Sequence, residues 1–111
     1  MDKNAVLGIG ASDCRPEDEE KYNKWYNEVH VPMCLKFKGI KRASRFKRIG
    51  DDKERPKYLV FYEFESKEAK EAFDTSPELK AAMEESKETW KDGGLDLLWV
   101  ANYEPIKTWE R

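Results

Sequence analysis

An α+β domain of βαββαβ order, with a four-stranded antiparallel sheet carrying both helices on one face, is the fold class this sequence predicts. Three observations lead there. Short apolar segments alternate with stretches of helical rhythm, the strand segments are apolar on both faces, and the 111-residue length suits one domain with its own core. A single domain over residues 1–111 is expected, with no linker, internal repeat or low-complexity segment.

Residues 4–11 (NAVLGIGA) are apolar, with charge before them and Ser12-Asp13 after, and read as a buried first strand. Gly8 and Gly10 within it mark a bulge or a close backbone approach. Pro16 suits the first turn of a helix, and the acidic run Glu17 to Glu20 complements the positive end of its dipole. Tyr22, Tyr26, Val29 and Met33 then form one apolar stripe, with Trp25, His30 and Phe37 along its edges. Pro32 removes a hydrogen bond and clashes with the turn before it, so the helix should kink or restart near Val31 and finish before Gly39.

The segments Ile40–Ile49 and Tyr58–Phe64, separated by the turn Gly50-Asp51-Asp52, read as an antiparallel hairpin. Residues 66–91 return to helical rhythm with Ala69, Phe73, Leu79, Met83 and Trp90, broken at Thr75-Ser76-Pro77, where Ser76 and Pro77 start a new helix. Gly93-Gly94 end it, and Leu95 to Ile106 form the last strand. Tyr58, Val60, Tyr62 and Phe64 point to one sheet face, Leu59 and Phe61 to the other. The last strand is read alike, with Leu95, Leu97, Trp99 and Tyr103 against Leu98 and Val100. Two helices cover one face of such a sheet. The other needs a partner, and a second copy in an isologous homodimer supplies it.

Charged residues make up 40% of the chain, but 14 aromatic residues predict a folded protein with an aromatic core. The 21 basic and 23 acidic residues nearly cancel, so no overall field draws the chain to nucleic acid or anionic lipid. No apolar run approaches the roughly 20 residues that span a bilayer, and the start MDKNAVLGIG lacks the layout of a signal peptide. A cytoplasmic location without membrane association is expected. Cys14 and Cys34 flank the first helix, about 25 to 30 Å apart at 1.5 Å rise per residue. A disulfide needs Cα atoms within about 7 Å, so both should be free thiols, as a reducing compartment permits.

His30 is the chain's single histidine and the one side chain with an ordinary pKa near neutrality, placed on the margin of the core-facing stripe beside a helix break. It is the candidate catalytic group, a general acid/base for a bound carbonyl compound; a structural, hydrogen-bonded histidine is the competing reading. Tyr26, one helical turn earlier, is a candidate to orient the imidazole or a substrate oxygen, whereas Glu28 points away. Arg42 and Arg45 have opposite strand parity, so only one of the two can face a pocket and hold a carboxylate or enolate. Parity does not choose between them; Arg45 is carried as the candidate substrate contact, and surface charge is the competing role for both. Tyr62 and Trp99 complete the candidate substrate contacts, against a competing role in core or interface.

His30 and Cys34 are one turn apart, but two ligands are too few for a metal centre, and no Cys-x-x-Cys motif or further histidine adds to them. Gly8-x-Gly10 begins like a dinucleotide fingerprint, yet Asp13 stands where its third glycine belongs. No nucleotide cofactor is expected; for haem, His30 is the sole histidine ligand available. An RNA-recognition domain shares the element order, and residues 36–55 hold nine Lys or Arg against three acids. On the third strand, however, Tyr58, Leu59, Val60 and Tyr62 break the RNA-binding pattern, and the first strand has no aromatic to stack a base.

The segment Trp25-Tyr26-Asn27-Glu28-Val29-His30-Val31-Pro32, followed by Phe37-Lys38-Gly39-Ile40 and Arg45-Phe46, resembles the EthD-like branch of the dimeric α+β barrel superfamily. In that branch an aromatic pair, an acid, a His and a Pro occupy this place on the first helix, ahead of a glycine and a strand ending in Arg plus an aromatic. The likeness covers about residues 20–48. It implies a ferredoxin-like protomer, sheets packed face to face into a dimeric barrel, and a pocket between sheet and helices for a small hydrophobic or aromatic ligand. Members include cofactor-independent monooxygenases, isomerases, polyketide cyclases, haem-binding enzymes and proteins without a known reaction. A non-catalytic binding or sensor protein is thus the alternative to a cyclase, isomerase or monooxygenase. With one His, the chain departs from the plant-type cyclases that use a second.

Overall fold

A computed structural model of the chain describes residues 2–111. Strand β1 (Val6–Cys14) leads through a 3-10 turn at Pro16–Asp18 into α1 (Glu19–Trp25), a π-helical turn (Tyr26–His30) and α2 (Val31–Cys34). The hairpin β2 (Ile40–Lys47) and β3 (Tyr58–Phe64) precedes α3 (Lys67–Asp74), α4 (Pro77–Thr89) and β4 (Leu95–Tyr103). Sheet order is β2-β3-β1-β4 with every neighbouring pair antiparallel, so β1 and β3 lie at the centre and β2 and β4 at the edges. The result is a ferredoxin-like α+β protomer with its helices on one face.

Local chemistry accounts for the breaks. Ser66 Oγ accepts from the Ala69 amide at 3.0 Å and Ser76 Oγ from the Leu79 amide at 3.1 Å, capping α3 and α4 in turn. Pro77 at the first turn of α4 needs no amide partner. Gly94, at φ +107°, lies where a Cβ would come within 2.6 Å of Asp18 Oδ2, so the turn into β4 demands glycine.

The first helix is not interrupted at Pro32; it runs on through a π turn just before it and restarts as α-helix at Val31. The Val31 amide bonds to the Tyr26 carbonyl five residues back, which takes one residue more into this turn than an α-helix would. The expected stripe through Val29 and Met33 is thereby rotated. Tyr22, Trp25, Tyr26 and Cys34 are buried, while Val29 and Met33 are only partly covered. Glu28 is exposed.

The last strand also departs from expectation. Ala11 pairs with Trp99 but Ser12 with Leu97, leaving Leu98 as a bulge. One extra residue reverses parity, so Leu95, Leu97, Val100 and Asn102 lie on the helix side and Trp99 and Tyr103 on the other. The strand ends at Tyr103 rather than Ile106, because β1 offers no partner before Val6 and Pro105 has no amide hydrogen.

The core on the helix side has two parts. One gathers Val6, Cys34, Ile40, Phe64, Phe73 and Ala82; the other gathers Tyr22, Trp25, Tyr26, Tyr58, Val60 and Trp90. Tyr62 packs against both. On the opposite face Phe46 and Phe61 meet edge-on at 5.1 Å, Arg42 pairs with buried Glu63 at 3.0 Å, and Trp99 and Tyr103 stand about half exposed.

Candidate functional site

A cavity of about 230 Å³ opens between the two parts of the core. The central strands form its floor. A Cβ at Gly8 would lie 3.1 Å from the Phe64 ring, and one at Gly10 would lie 3.2 Å from Val60 Cγ1, so the glycines provide the close approach expected of them. The β1 to β3 ladder stays regular, and no bulge forms there. Trp25, Tyr26 and His30 form one wall, α4 contributes Leu79, Met83 and Ser86, and the edge strand β4 leaves Leu97 and Val100 exposed at the mouth.

The π turn places His30. Its ring stacks on Trp25, centroids 4.7 Å apart, and meets Tyr26 edge-on at 5.3 Å. Trp25 is itself held by donation from Nε1 to Glu85 Oε1 at 2.7 Å. Nε2 of His30 lies 3.9 Å from Cys34 Sγ, and Nδ1 is buried without a hydrogen-bond partner. Burial pushes the imidazole pKa below its ordinary value and Glu85 opposes this, so His30 is neutral at pH 7.

Tyr62 stands across from it on β3. Its hydroxyl is buried and unsatisfied, since the neighbouring Cys34 thiol is a weak hydrogen-bonding group. Burial pushes the Tyr62 phenol and the Cys34 thiol upward, keeping both protonated. Two buried polar atoms without partners, at about 1 to 3 kcal/mol each, mark a wall with unused hydrogen-bonding capacity.

Arg45 is on the helix side, paired in register with Val60, while Arg42 is on the other face. Yet Arg45 does not line the cavity. Its guanidinium lies 4.7 Å from the Tyr26 ring centroid and donates to Asn27 Oδ1 at 2.7 Å and Asn23 Oδ1 at 2.9 Å, bracing the outer side of the π turn. Behind Tyr26, the hydroxyls of Ser12 and Tyr22 are 2.5 Å apart. Burial pushes the Tyr26 phenol pKa up, with Ser12 and Arg45 offsetting part of the effect.

Of the residues singled out in the sequence, His30, Tyr26 and Tyr62 therefore meet at one cavity, Arg45 supports it from outside, and Trp99 lies across the sheet. The bulge at Leu98 is what turned Trp99 away. Ser86 and Asn102 also line the cavity, unforeseen from sequence. Asn102 faces Gly8 across the ladder, and an amide opposite a glycine in an apolar strand was the available signal. Among the described residues no group of three or more metal-binding side chains occurs. The cavity is smaller than the roughly 300–1,000 Å³ usual for ligand and cofactor sites.

A family described as a domain of unknown function, DUF4286, matches residues 11–96, which include the π turn, the hairpin and both later helices. The chain belongs to the DUF4286 family. No curated protein matches it. The structure of this DUF4286 member is similar to an EthD family protein from Bacillus halodurans, at TM-score 0.66 and 16% identity over 92% of this chain and 98% of that one. It is similar to SnoaB, a cofactor-independent oxygenase from Streptomyces nogalater, at TM-score 0.66 and 8% identity over 95% and 96%. It is also similar to a dimeric ferredoxin-like protein of unknown function from Jannaschia, at TM-score 0.63 and 14% identity over 91% and 99%. Such identities speak to fold alone, and the fold shared is the ferredoxin-like α+β fold. No helix among the described residues is long and apolar enough to cross a membrane.

Proposed function

We propose that this DUF4286 protein is a small-molecule enzyme of the EthD-like, dimeric α+β barrel type, in which His30 is general acid/base for a hydrophobic or aromatic carbonyl compound. The observation that carries this reading is one neutral imidazole in the wall of a largely apolar cavity, beside the unsatisfied Tyr62 hydroxyl. A neutral His30 can take a proton from the carbon next to a carbonyl, and the protonated Tyr62 hydroxyl can donate to the enolate oxygen so formed. Returning the proton to another carbon isomerises the compound; attack by the enolate on a second carbonyl cyclises it. Reaction of the enolate with dioxygen would be the cofactor-free oxidation. Tyr26 orients the imidazole edge-on, and Arg45 holds Tyr26.

The reading includes a homodimer joined through the outer sheet face, supported by the exposed Trp99 and Tyr103 on β4 and by Phe46 and Phe61 on the same face at β2 and β3. Trp99 then serves the interface rather than the substrate. A cytoplasmic location goes with the two free thiols.

One observation favours a second reading, a non-catalytic small-molecule binding protein: one His30 nitrogen is turned to Cys34 and the other enclosed, as suits a wall group. The deciding experiment extracts the small molecule that co-purifies, identifies it by mass spectrometry and compares wild type with His30→Gln. An enzyme loses conversion while the fold and dimer persist. Conversion unchanged in His30→Gln removes the catalytic reading; ligand retained without any conversion by wild type selects the binding protein.

A further inference from the structure

We propose that the cavity selects flat, uncharged compounds, enclosing two fused rings of them, and rejects the corresponding carboxylates. This rests on reading the cavity as a ligand site. The charge argument comes from which cations reach it. Lys70 lies at its edge but is ion-paired with Asp74, which lines the same edge. Arg45, whose guanidinium lies 4.7 Å from the Tyr26 ring centroid, is turned to Asn23, Asn27 and the tyrosine rings. A carboxylate entering would meet Asp74 and no unpaired positive charge, and a buried anion without a partner is strongly disfavoured. A neutral oxygen, by contrast, finds the Tyr62 hydroxyl and the Asn102 amide.

Shape follows from the floor and the volume. Gly8 and Gly10 leave a shelf without side chains, and Leu79 and Met83 lie on the helix side. An apolar cavity of about 150 Å³ holds benzene. The 230 Å³ here is half as large again, which suits two fused six-membered rings and not four.

Calorimetric titration at pH 7 with 2-naphthol, 2-naphthoate and 1-hydroxypyrene tests this. The expected result is binding of 2-naphthol at least tenfold tighter than either of the others. Leu97 lines the mouth and is 54% exposed, so Leu97→Lys should fold normally while placing a free cation there. In that variant the preference for naphthol over naphthoate should narrow at least threefold. Naphthoate binding as tightly as naphthol in wild type, or a ratio unmoved by Leu97→Lys, overturns the selectivity and leaves the ligand site standing. Hydroxypyrene binding as tightly as naphthol overturns the size limit. If none of the three binds, both the selectivity and the ligand-site reading fall.

Discussion

The Trp25 indole and the His30 imidazole stack with centroids 4.7 Å apart and planes 25° from parallel. Five residues apart, they meet because the π turn between them shares that spacing. Stacking takes the imidazole out of water, and Glu85, bonded to the far edge of Trp25, is the carboxylate that partly compensates.

His30 is expected to titrate below its ordinary pKa of 6.5. A lowered folded-state value means the unfolded chain binds the proton first, so this stabilisation is present above about pH 6.5 and is lost as pH falls toward the folded-state pKa. Because the chain has one histidine, its ring proton resonance reports the titration directly. Urea denaturation at pH 5 and pH 7.5 should show a smaller stability difference in His30→Gln than in wild type. A His30 pKa above 6.5 would contradict the burial argument.

Trp25→Ala is expected to destabilise by about 3 to 5 kcal/mol, since the residue is 5% exposed and packs against Tyr26, His30 and Trp90. Circular dichroism melts would check it. A loss under 1 kcal/mol would show that the π turn is held without the indole.

Arg45→Lys is expected to cost about 1 to 2 kcal/mol and to behave much like Arg45→Ala. A single ammonium cannot both stack on Tyr26 and bridge Asn23 and Asn27. Full retention of stability in the lysine variant would mean that charge alone suffices.

The proposed homodimer should bury at least about 1,200 Å². Trp99→Glu, on the outer face of edge strand β4, is then expected to yield a folded monomer by light scattering. A wild-type monomer at micromolar concentration would refute the assembly outright.

Cys14 and Cys34 are both free, one partly buried and one 2% exposed. Cys14 should react with a thiol reagent well before Cys34 in the native protein, and both should react at once in denaturant. Equal native rates would place Cys34 outside the core.

Element order, the Ser76-Pro77 helix start, the hairpin and the free thiols were all legible in the sequence, because each rests on local signals: an N-cap side chain, a proline, a turn, a period of two. His30, Tyr26 and Tyr62 were legible as candidates for the same reason, being polar-tipped groups on apolar faces. Tertiary structure decided which of them meet. A π turn absorbed Pro32 and rotated the helix face, a one-residue bulge at Leu98 moved Trp99 to the far side of the sheet, and Arg45 was captured by Asn23 and Asn27 before it could reach the cavity. Each of these turns on a shift of one residue or one hydrogen bond, settled by packing against a distant strand or helix that no local pattern encodes.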